Sequence, residues 1–296
     1  MSRCSVLWSA AGLPAWGTAA RADFWVCLET PGPWGAKAAT SARSLDPAVG
    51  ARLEALIEEM GGRLLLIRRA ARNTVGDDPL TVLVSGGFDE EGWLTRFEVD
   101  DAQALVEWLE SWRQAGTPPP PDTVPEPVLL VCTHAKRDRC CALEGRPILE
   151  ELEGELGSEP LWECSHLGGH RFAPTALLLP TGQVLGRMGT GEALAAYRDA
   201  GVGLLWPGGE RRDRGRSHLP PERQAAEAWA LARFGAARSL DLGSRMAGDV
   251  VQVRHGERRV SVRVSRVDTG DEAPLSCGKE SEPMTYWAVE PVRDKL

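Results

Sequence analysis

Two histidines, His166 and His170, lie four residues apart in the stretch ECSHLGGHRFAPTALLLPTG, with Gly168 and Gly169 between them. The chain has five histidines, so this loop holds two of a scarce residue type. Adjacent glycines disfavour a helix, each by about 1 kcal/mol relative to alanine. The pattern therefore predicts a loop that turns both imidazoles toward one point, as in a metal site. The alternative is two unrelated loop histidines.

Candidate thiolate ligands lie upstream, in VCTHAKRDRCCALEGRP. Cys132 ends an apolar run, and Cys141 follows after eight intervening residues, where a helix is expected to open. A helix N-terminus favours negative charge and lowers the pKa of a thiol, which supports a thiolate ligand. The seven cysteines are unevenly spaced, and four of them fall between residues 132 and 164. This clustering indicates metal or redox chemistry rather than a disulfide framework.

The elements around these residues have a readable order. The predicted elements are a strand at VLLVC (128–132), a helix from about Glu144 to Leu156, a strand at LWEC (161–164), a hairpin of TALLL and QVLGRM, and a helix ending at Gly201. This is the thioredoxin-type order β-α-β-β-β-α, with the SHLGGH loop in place of the second helix of that fold. The first and second strands of that fold end at one edge. We therefore expect Cys132, Cys141, His166 and His170 to converge.

The first 116 residues repeat this order. The predicted strands are FWVCLE (24–29), RLLLIR (63–68), TVLVS (81–85) and WLTRFEV (93–99), with one helix at 46–60 and another that Asp100 or Asp101 caps and that runs through Trp112. Asp46 is a good N-cap with Pro47 at the first helical position. This part contains Cys27 but no histidine. The sequence thus predicts an α/β fold of tandem thioredoxin-like units, the N-terminal one being degenerate and unable to bind a cluster.

Proline and glycine runs suggest the remaining boundaries. Four successive prolines in AGTPPPPDTVPEP favour an extended spacer. The predicted organisation is a degenerate unit at 1–116, a linker at 117–127, a thioredoxin-like ferredoxin unit at 128–203, and a small α+β appendix at 204–296. The appendix is expected to begin with a loop, GVGLLWPGGERRDRGRSH, followed by a helix at 221–237. The strands VVQVR, RVSVRVS and MTYWAVE complete it.

Bulk composition excludes several classes of protein. The net charge is −8 and the pI is about 5.3, which argues against a nucleic-acid surface. The sequence has no run of eighteen apolar residues, so we expect no membrane association through a spanning helix. Ser, Gly and Pro break the apolar stretch at the N-terminus, which disfavours a signal peptide. We expect a cytoplasmic location.

The stretch 128–190 resembles the sucrase/ferredoxin-like family, whose cluster domain is a thioredoxin-like [2Fe–2S] ferredoxin. Its members carry VCTH-x-x-R-D-x-C-C and then H-x-G-G-H-R-F-A-P-T, which match VCTHAKRDRCC and HLGGHRFAPT in this sequence. The resemblance implies a [2Fe–2S] cluster held by Cys132, Cys141, His166 and His170. The histidine pair is similar to a replacement of the Cys-x-x-x-Cys pair of related four-cysteine ferredoxins. Pro174 would occupy the cis-proline position of thioredoxins.

Several residues near these motifs keep alternative roles open. Cys140 is adjacent to Cys141 and chemically able to replace it, although CALEG fits the ferredoxin pattern. For the other residues a purely structural role competes with a role in the site. Cys164 would be a core cysteine, His134 a neighbour of the site or a surface residue, Cys277 a loop cysteine, and Arg137 and Arg171 solvated loop arginines.

The resemblance favours a one-electron carrier with Rieske-like ligation and a redox partner protein that the sequence does not identify. Neutral imidazoles in place of thiolates remove negative charge from the cluster. Potentials therefore run to roughly −150 to +300 mV, against about −400 mV for plant-type clusters.

Three other classes of function compete with this interpretation. Structural zinc also accepts two cysteines and two histidines, but a Cys-x₈-Cys spacing is wider than usual. A glycoside hydrolase needs two carboxylates that face one bond, whereas the acidic residues here fall in helix-face patterns. A dithiol oxidoreductase needs Cys-x-x-Cys, which is absent from the sequence.

Overall fold

The computed structural model describes residues 3–69, 79–116 and 126–292. The helices, numbered in chain order, are α1 (Cys4–Ala10), α2 (Ala38–Ser41), α3 (Pro47–Glu59), α4 (Ala102–Ala115), α5 (Arg139–Leu156), α6 (Thr190–Gly201), α7 (Gly209–Arg212) and α8 (Pro221–Phe234), with 3₁₀ turns at His170–Phe172 and Ser239–Asp241. The strands are β1 (Phe24–Glu29), β2 (Arg63–Arg68), β3 (Leu80–Gly86), β4 (Trp93–Val99), β5 (Val128–Cys132), β6 (Leu161–Cys164), β7 (Thr175–Leu179), β8 (Gln183–Gly186), β9 (Leu204–Leu205), β10 (Asp213–Arg216), β11 (Ala237–Arg238), β12 (Leu242–Ala247), β13 (Val250–His255), β14 (Arg258–Pro274) and β15 (Ser281–Pro291).

Nine strands form one mixed sheet in the order β10-β8-β7-β5-β6-β2-β1-β3-β4. In the N-terminal half, β1 is parallel to β2 and antiparallel to β3, which pairs antiparallel with β4. In the C-terminal half, β5 is parallel to β6 and antiparallel to β7, which pairs antiparallel with β8. The two halves therefore repeat one pairing pattern. They join where β2 runs antiparallel to β6. The chain is a mixed α/β protein, as its sequence predicts.

Local sequence explains why the elements begin where they do. The Asp46 carboxylate accepts hydrogen bonds from the amides of Ala48 and Val49, so α3 is capped as predicted. The predicted strands at 24–29, 63–68, 93–99, 128–132 and 161–164 have the bounds of β1, β2, β4, β5 and β6. Most of these strands are continuous apolar runs, which suit strands that are buried on both faces.

The helix after β5 begins earlier than the sequence suggests. It was expected from about Glu144, but α5 starts at Arg139, because the Asp138 carboxylate accepts a hydrogen bond from the amide of Cys140 and caps it. Cys140 and Cys141 therefore lie in the first helical turn.

The prediction of a loop after α6 is wrong, because residues 204–216 contain β9, α7 and β10. Its arginines suggested exposure to solvent, yet Arg214 and Arg216 are buried. Arg216 donates to the Glu227 carboxylate and to the carbonyl of Phe88, at 2.9 and 2.6 Å. Because the Arg216 charge is paired with Glu227 and the Arg214 N–H groups donate to Thr18 and Gly168, this Arg-rich segment forms a buried edge strand that pairs with β8.

The C-terminal residues form a four-stranded antiparallel sheet in the order β12-β13-β14-β15. Helix α8 packs on it through Ala226, Ala230 and Leu231, which contact Val251 and Val253 in one apolar cluster. The three predicted strands lie within β13, β14 and β15, whereas β12 and α1 were not predicted.

One face of the nine-stranded sheet carries the residues on which the site depends. Because side chains alternate along a strand, Val26 and Leu129 pack with the helices, while Cys27, Cys132 and Cys164 share the apolar cluster on the opposite face. Within the described ranges, no helix has the length and apolar character needed to cross a bilayer. Most of the predicted linker, residues 117–125, lies outside the described residues.

Candidate metal centre

The candidate centre lies where β5 and β6 end. These strands are parallel, and their last residues, Cys132 and Cys164, are register partners. The loops that follow them therefore leave from the same edge of the sheet. One loop leads to α5 and the other carries the histidine pair, so the meeting of these two loops, expected from the sequence, is present in the structure.

Three of the four predicted ligands come together at this edge. A sulfur atom of Cys132, a sulfur atom of Cys141 and a ring nitrogen of His166 all lie within 4.8 Å of one another. Both cysteines are fully buried, and His166 is partly exposed. Two thiols and an imidazole at this separation are a donor set for a thiophilic metal.

His170 lies beside this group rather than within it. Its ring stacks on that of His166, with 4.8 Å between centroids and 29° between planes. Its Nε2 atom is 3.6 Å from the Asp138 Oδ2 atom. The Nδ1 atoms of both histidines are buried, and neither has a hydrogen-bond partner among the described residues. Buried nitrogens of this kind normally have a partner, so both are available to a bound metal.

The surrounding groups set the charge of these ligands. A hydrogen bond from the Cys141 thiol, with a further one from His166, holds the pKa of Cys132 well below its ordinary value. The same bond to Cys132, together with burial, raises the pKa of Cys141. Burial, and then the neighbouring His166, lowers the pKa of His170 to about 4. Near neutral pH His170 is therefore a neutral imidazole, and of the two cysteines Cys132 is the more readily ionised.

Cys140 belongs to a different cluster from Cys141. Its sulfur lies 3.6 Å from that of Cys4 and 3.2 Å from that of Cys277. These three thiols and Asp138 form a second group of potential ligands. The geometry therefore separates the two members of the cysteine doublet, a choice that the sequence left open.

Other residues considered from the sequence occupy supporting positions. Cys164 is fully buried in the apolar cluster of the sheet, and burial raises the pKa of its thiol. His134 donates from Nε2 to the carbonyl of Gly35 at 2.7 Å. Arg171 packs over Trp8 and Phe172, with its guanidinium carbon 4.9 and 4.5 Å from their ring centroids. In this structure none of these three is grouped with the candidate ligands.

Arg214 holds the histidine loop and was missed in the sequence. It is buried, and it donates from Nη1 to the carbonyl of Gly168 at 2.9 Å and from Nε to Thr18 Oγ1 at 3.1 Å. Gly168 and Gly169 both have positive φ, +79° and +70°. A Cβ atom on Gly169 would lie 2.5 Å from Arg214 Nη2. The glycine pair is therefore needed for this turn and for the close approach of the arginine.

Two further features border the loop. The bond between Ala173 and Pro174 is cis, as the sequence suggested. On the other side of His166 is an open cleft of about 300 Å³, whose lining includes Lys37, Arg63, Arg137 and His134. The imidazole side of the centre therefore faces a cleft with three basic side chains and one carboxylate, that of Glu54.

A comparison with protein-family models matched residues 15–199 to one described as Sucrase/ferredoxin-like. Curated proteins and solved structures gave no match. The matched range contains all four predicted ligands and both four-stranded halves of the large sheet, whose strands β1 to β8 run from residue 24 to residue 186.

Proposed function

Because the chain belongs to the sucrase/ferredoxin-like family, we propose that its centre binds a [2Fe–2S] cluster and that the protein carries single electrons. The observation that carries the proposal is the convergence of Cys132, Cys141 and His166 beside the stacked ring of His170. When bound, such a cluster supplies one-electron transfer, with a potential set by its ligands and their surroundings.

The two pairs of ligands differ in their access to solvent. Cys132 and Cys141 are fully buried and supply the thiolates, while the side chain of His170 is 13% exposed and His166 borders the cleft. The Nδ1 atoms of both histidines are buried without partners in the described chain, and we assign them as the ligand atoms. This arrangement keeps water from the sulfur ligands and leaves the imidazoles as the route for electrons.

A single zinc ion is the competing occupant of this centre, and the family to which the chain belongs, rather than the spacing of the ligand atoms, favours the cluster. Tetrahedral zinc with bonds of about 2.0–2.3 Å brings its four ligand atoms to within about 4 Å of one another. Three of the proposed ligands lie within 4.8 Å of one another, but His170 falls outside that group. A [2Fe–2S] cluster would draw on all four residues, including His170, which a zinc ion held by the group of three would leave unused.

The cleft beside His166 is our candidate for the docking position of a redox partner protein. Lys37, Arg63 and Arg137 line it together with one carboxylate, Glu54, so basic groups outnumber acidic ones in the cleft. Complementary charge steers encounter between proteins, so a partner with an acidic patch fits this surface.

We also propose that the two halves are tandem thioredoxin-like units. The support is their shared β-α-β-β-β-α succession and their shared pairing pattern. Cys27 of the N-terminal half is fully buried and belongs to neither group of potential ligands. We therefore assign the cluster to the C-terminal half and a packing role to the N-terminal half.

The test is purification without air, followed by visible and electron paramagnetic resonance spectra. We expect a coloured protein with equal amounts of iron and inorganic sulfide. Replacing any of the four proposed ligands with alanine should abolish or severely reduce the visible absorption.

The matched control is Cys164→Ala, because Cys164 is buried at the same strand edge without being grouped with the ligands. This variant should keep its colour. A colourless wild-type protein with one zinc ion bound at Cys132 and Cys141 would contradict the proposal.

A further inference from the structure

Three cysteines that are far apart in the sequence meet at the N-terminus of α5. The sulfur of Cys4 lies 3.6 Å from that of Cys140 and 3.7 Å from that of Cys277, and the Cys140–Cys277 distance is 3.2 Å. The Asp138 Oδ2 atom is 3.9 Å from the Cys4 sulfur. Cys4 and Cys140 are fully buried, and Cys277 is partly exposed.

The spacing of these atoms is close to that of a tetrahedral site. Zinc–sulfur bonds of about 2.3 Å set the sulfur atoms of a tetrahedral zinc site about 3.8 Å apart. The three observed separations form a triangle of nearly this size, with the carboxylate oxygen as a fourth donor beside it. Soft thiolates select zinc over the hard cations that prefer oxygen ligands.

We propose that Cys4, Cys140, Cys277 and Asp138 form a second metal site, which binds zinc. Each of the three thiols releases its proton to solvent as zinc binds, and zinc remains divalent throughout. The proposal does not depend on a [2Fe–2S] cluster at the first site, because the two sites share no ligand.

The surroundings suit the charge of such a complex. Zinc with three thiolates and one carboxylate carries a net charge of −2. Arg139 faces the Cys277 sulfur, and the positive charge of Arg171 acts on Cys4. The N-terminus of α5 adds a favourable dipole at Cys140. These positive groups therefore offset part of the negative charge of the complex.

The backbone around Asp138 already holds the ligands in place. Its Oδ1 atom accepts from the amide of Cys140 at 2.8 Å, and its Oδ2 atom accepts from the amide of Cys277 at 2.7 Å and from Ser276 Oγ at 2.9 Å. One carboxylate thus positions two of the three cysteines. Supporting hydrogen bonds of this kind orient the ligands of metal sites.

Zinc here would link α1 and the β14–β15 connection to the helix that also carries a proposed cluster ligand. Cys4 lies in α1, Cys277 lies between β14 and β15, and Cys140 precedes the proposed cluster ligand Cys141. Asp138 also lies 3.6 Å from the His170 ring nitrogen. A cross-link that closes such long loops stabilises the fold by restricting the unfolded chain.

A disulfide between Cys140 and Cys277 is the competing chemistry. It requires a sulfur–sulfur distance of about 2.05 Å and leaves the third thiol unused. The two possibilities differ in the number of sulfur atoms they use: the zinc site needs all three thiols, whereas the disulfide needs only two.

The test measures zinc and iron per chain in full-length protein purified without air and without chelators. We expect one zinc ion per chain in the wild-type protein. Cys4→Ala and Cys277→Ala should each lose this zinc and keep the wild-type iron content, while the control Cys27→Ala should keep both metals. X-ray absorption at the zinc edge of the wild-type protein should give three sulfur neighbours at about 2.3 Å.

Three outcomes would overturn the proposal. The first is wild-type protein that neither contains zinc nor takes it up from added zinc chloride under reducing conditions. The second is a Cys277→Ala variant with undiminished zinc. The third is a zinc-edge spectrum with fewer than three sulfur neighbours, which needs no variant to fold. Zinc bound at the first site instead of iron would appear as a fraction that Cys132→Ala removes and Cys277→Ala does not.

Discussion

Cys140 and Cys141 are consecutive residues in the first turn of α5, yet their sulfur atoms belong to two separate groups of potential ligands. Successive residues on a helix point about 100° apart, so neighbouring side chains cannot face the same point. Cys141 faces Cys132 and His166, whereas Cys140 faces Cys4 and Cys277. Each thiol of the doublet therefore serves its own site.

The doublet gives the first prediction. Cys141→Ala should abolish or severely reduce the visible absorption of the purified protein, because it removes one of two proposed sulfur ligands. Cys140→Ala should retain the wild-type spectrum and iron content but lose zinc. Metal analysis and visible spectra of the two variants, prepared side by side, check both statements. Loss of iron from Cys140→Ala with retention in Cys141→Ala would reverse the assignment.

The strands around the site could be located from the sequence alone. Strands β5 and β6 are short apolar runs buried on both faces, which leave a clear signal in the sequence. Once these strands are parallel, the loops after Cys132 and Cys164 must meet at one edge. The convergence of Cys132, Cys141 and His166 follows from this arrangement.

The second group of cysteines was not predictable in the same way. Cys4 and Cys277 reach Cys140 only because α1 and the β14–β15 connection pack against the N-terminus of α5. No local pattern records such a long-range contact. The position of Arg214 was hidden for a related reason, since its segment has the composition of a solvated loop and is buried by partners from elsewhere in the chain.

The second prediction concerns the turn between the histidines. Gly169→Ala should destabilise the protein by about 1–3 kcal/mol, because alanine is strained at positive φ and its Cβ would collide with the Arg214 guanidinium. We also expect reduced iron occupancy, because the loop that carries both imidazoles would move. Thermal unfolding and iron analysis measure the two effects.

Gly191→Ala is the matched control for that substitution. Gly191 lies in α6, and a Cβ atom there would meet nothing within 4 Å. Alanine is the better helix former, so this variant should be at least as stable as the wild type. Equal stability of the Gly169 and Gly191 variants would contradict the role assigned to the close approach of Arg214.

The third prediction concerns the ion pair that joins the two halves of the sheet. Arg68 Nη2 lies 2.7 Å from Glu163 Oε2 across the β2–β6 junction, and both side chains are about 10% exposed. Glu163→Gln should lower the free energy of unfolding by about 3–5 kcal/mol, because the buried Arg68 cation loses its counter-charge. Chemical denaturation measures the difference.

Glu59→Gln provides the comparison for the ion pair. The Glu59 side chain is 60% exposed and that of its partner Arg113 is 40% exposed, and the two groups are 3.1 Å apart. Exposed pairs contribute about 0–1 kcal/mol, so this variant should lose at most that amount. Similar losses in both variants would show that burial does not determine the strength of the Arg68–Glu163 pair.

The last prediction is a pH dependence of stability that comes from Asp213. Its carboxyl group is buried on β10, and burial raises its pKa from 3.8 to about 7, although Gly215 and Gln183 donate hydrogen bonds to it. A folded-state pKa above the unfolded value means that the folded protein holds a proton that the unfolded chain has released. The associated stability is fully present below about pH 4 and is lost as pH rises to about 7, by up to about 1.4 kcal/mol per pH unit.

Asp213→Asn removes this titration and leaves a neutral group of the same shape. The free energy of unfolding of the wild type should therefore fall relative to that of Asp213→Asn between pH 4 and pH 7, with no further relative change above that range. Asp249→Asn, at a side chain that is 78% exposed, is the control and should follow the wild-type curve. Urea denaturation at each pH gives the three curves. Parallel curves for the wild type and Asp213→Asn would mean that the hydrogen bonds from Gly215 and Gln183, with the nearby charge of Arg216, keep the carboxylate ionised despite its burial.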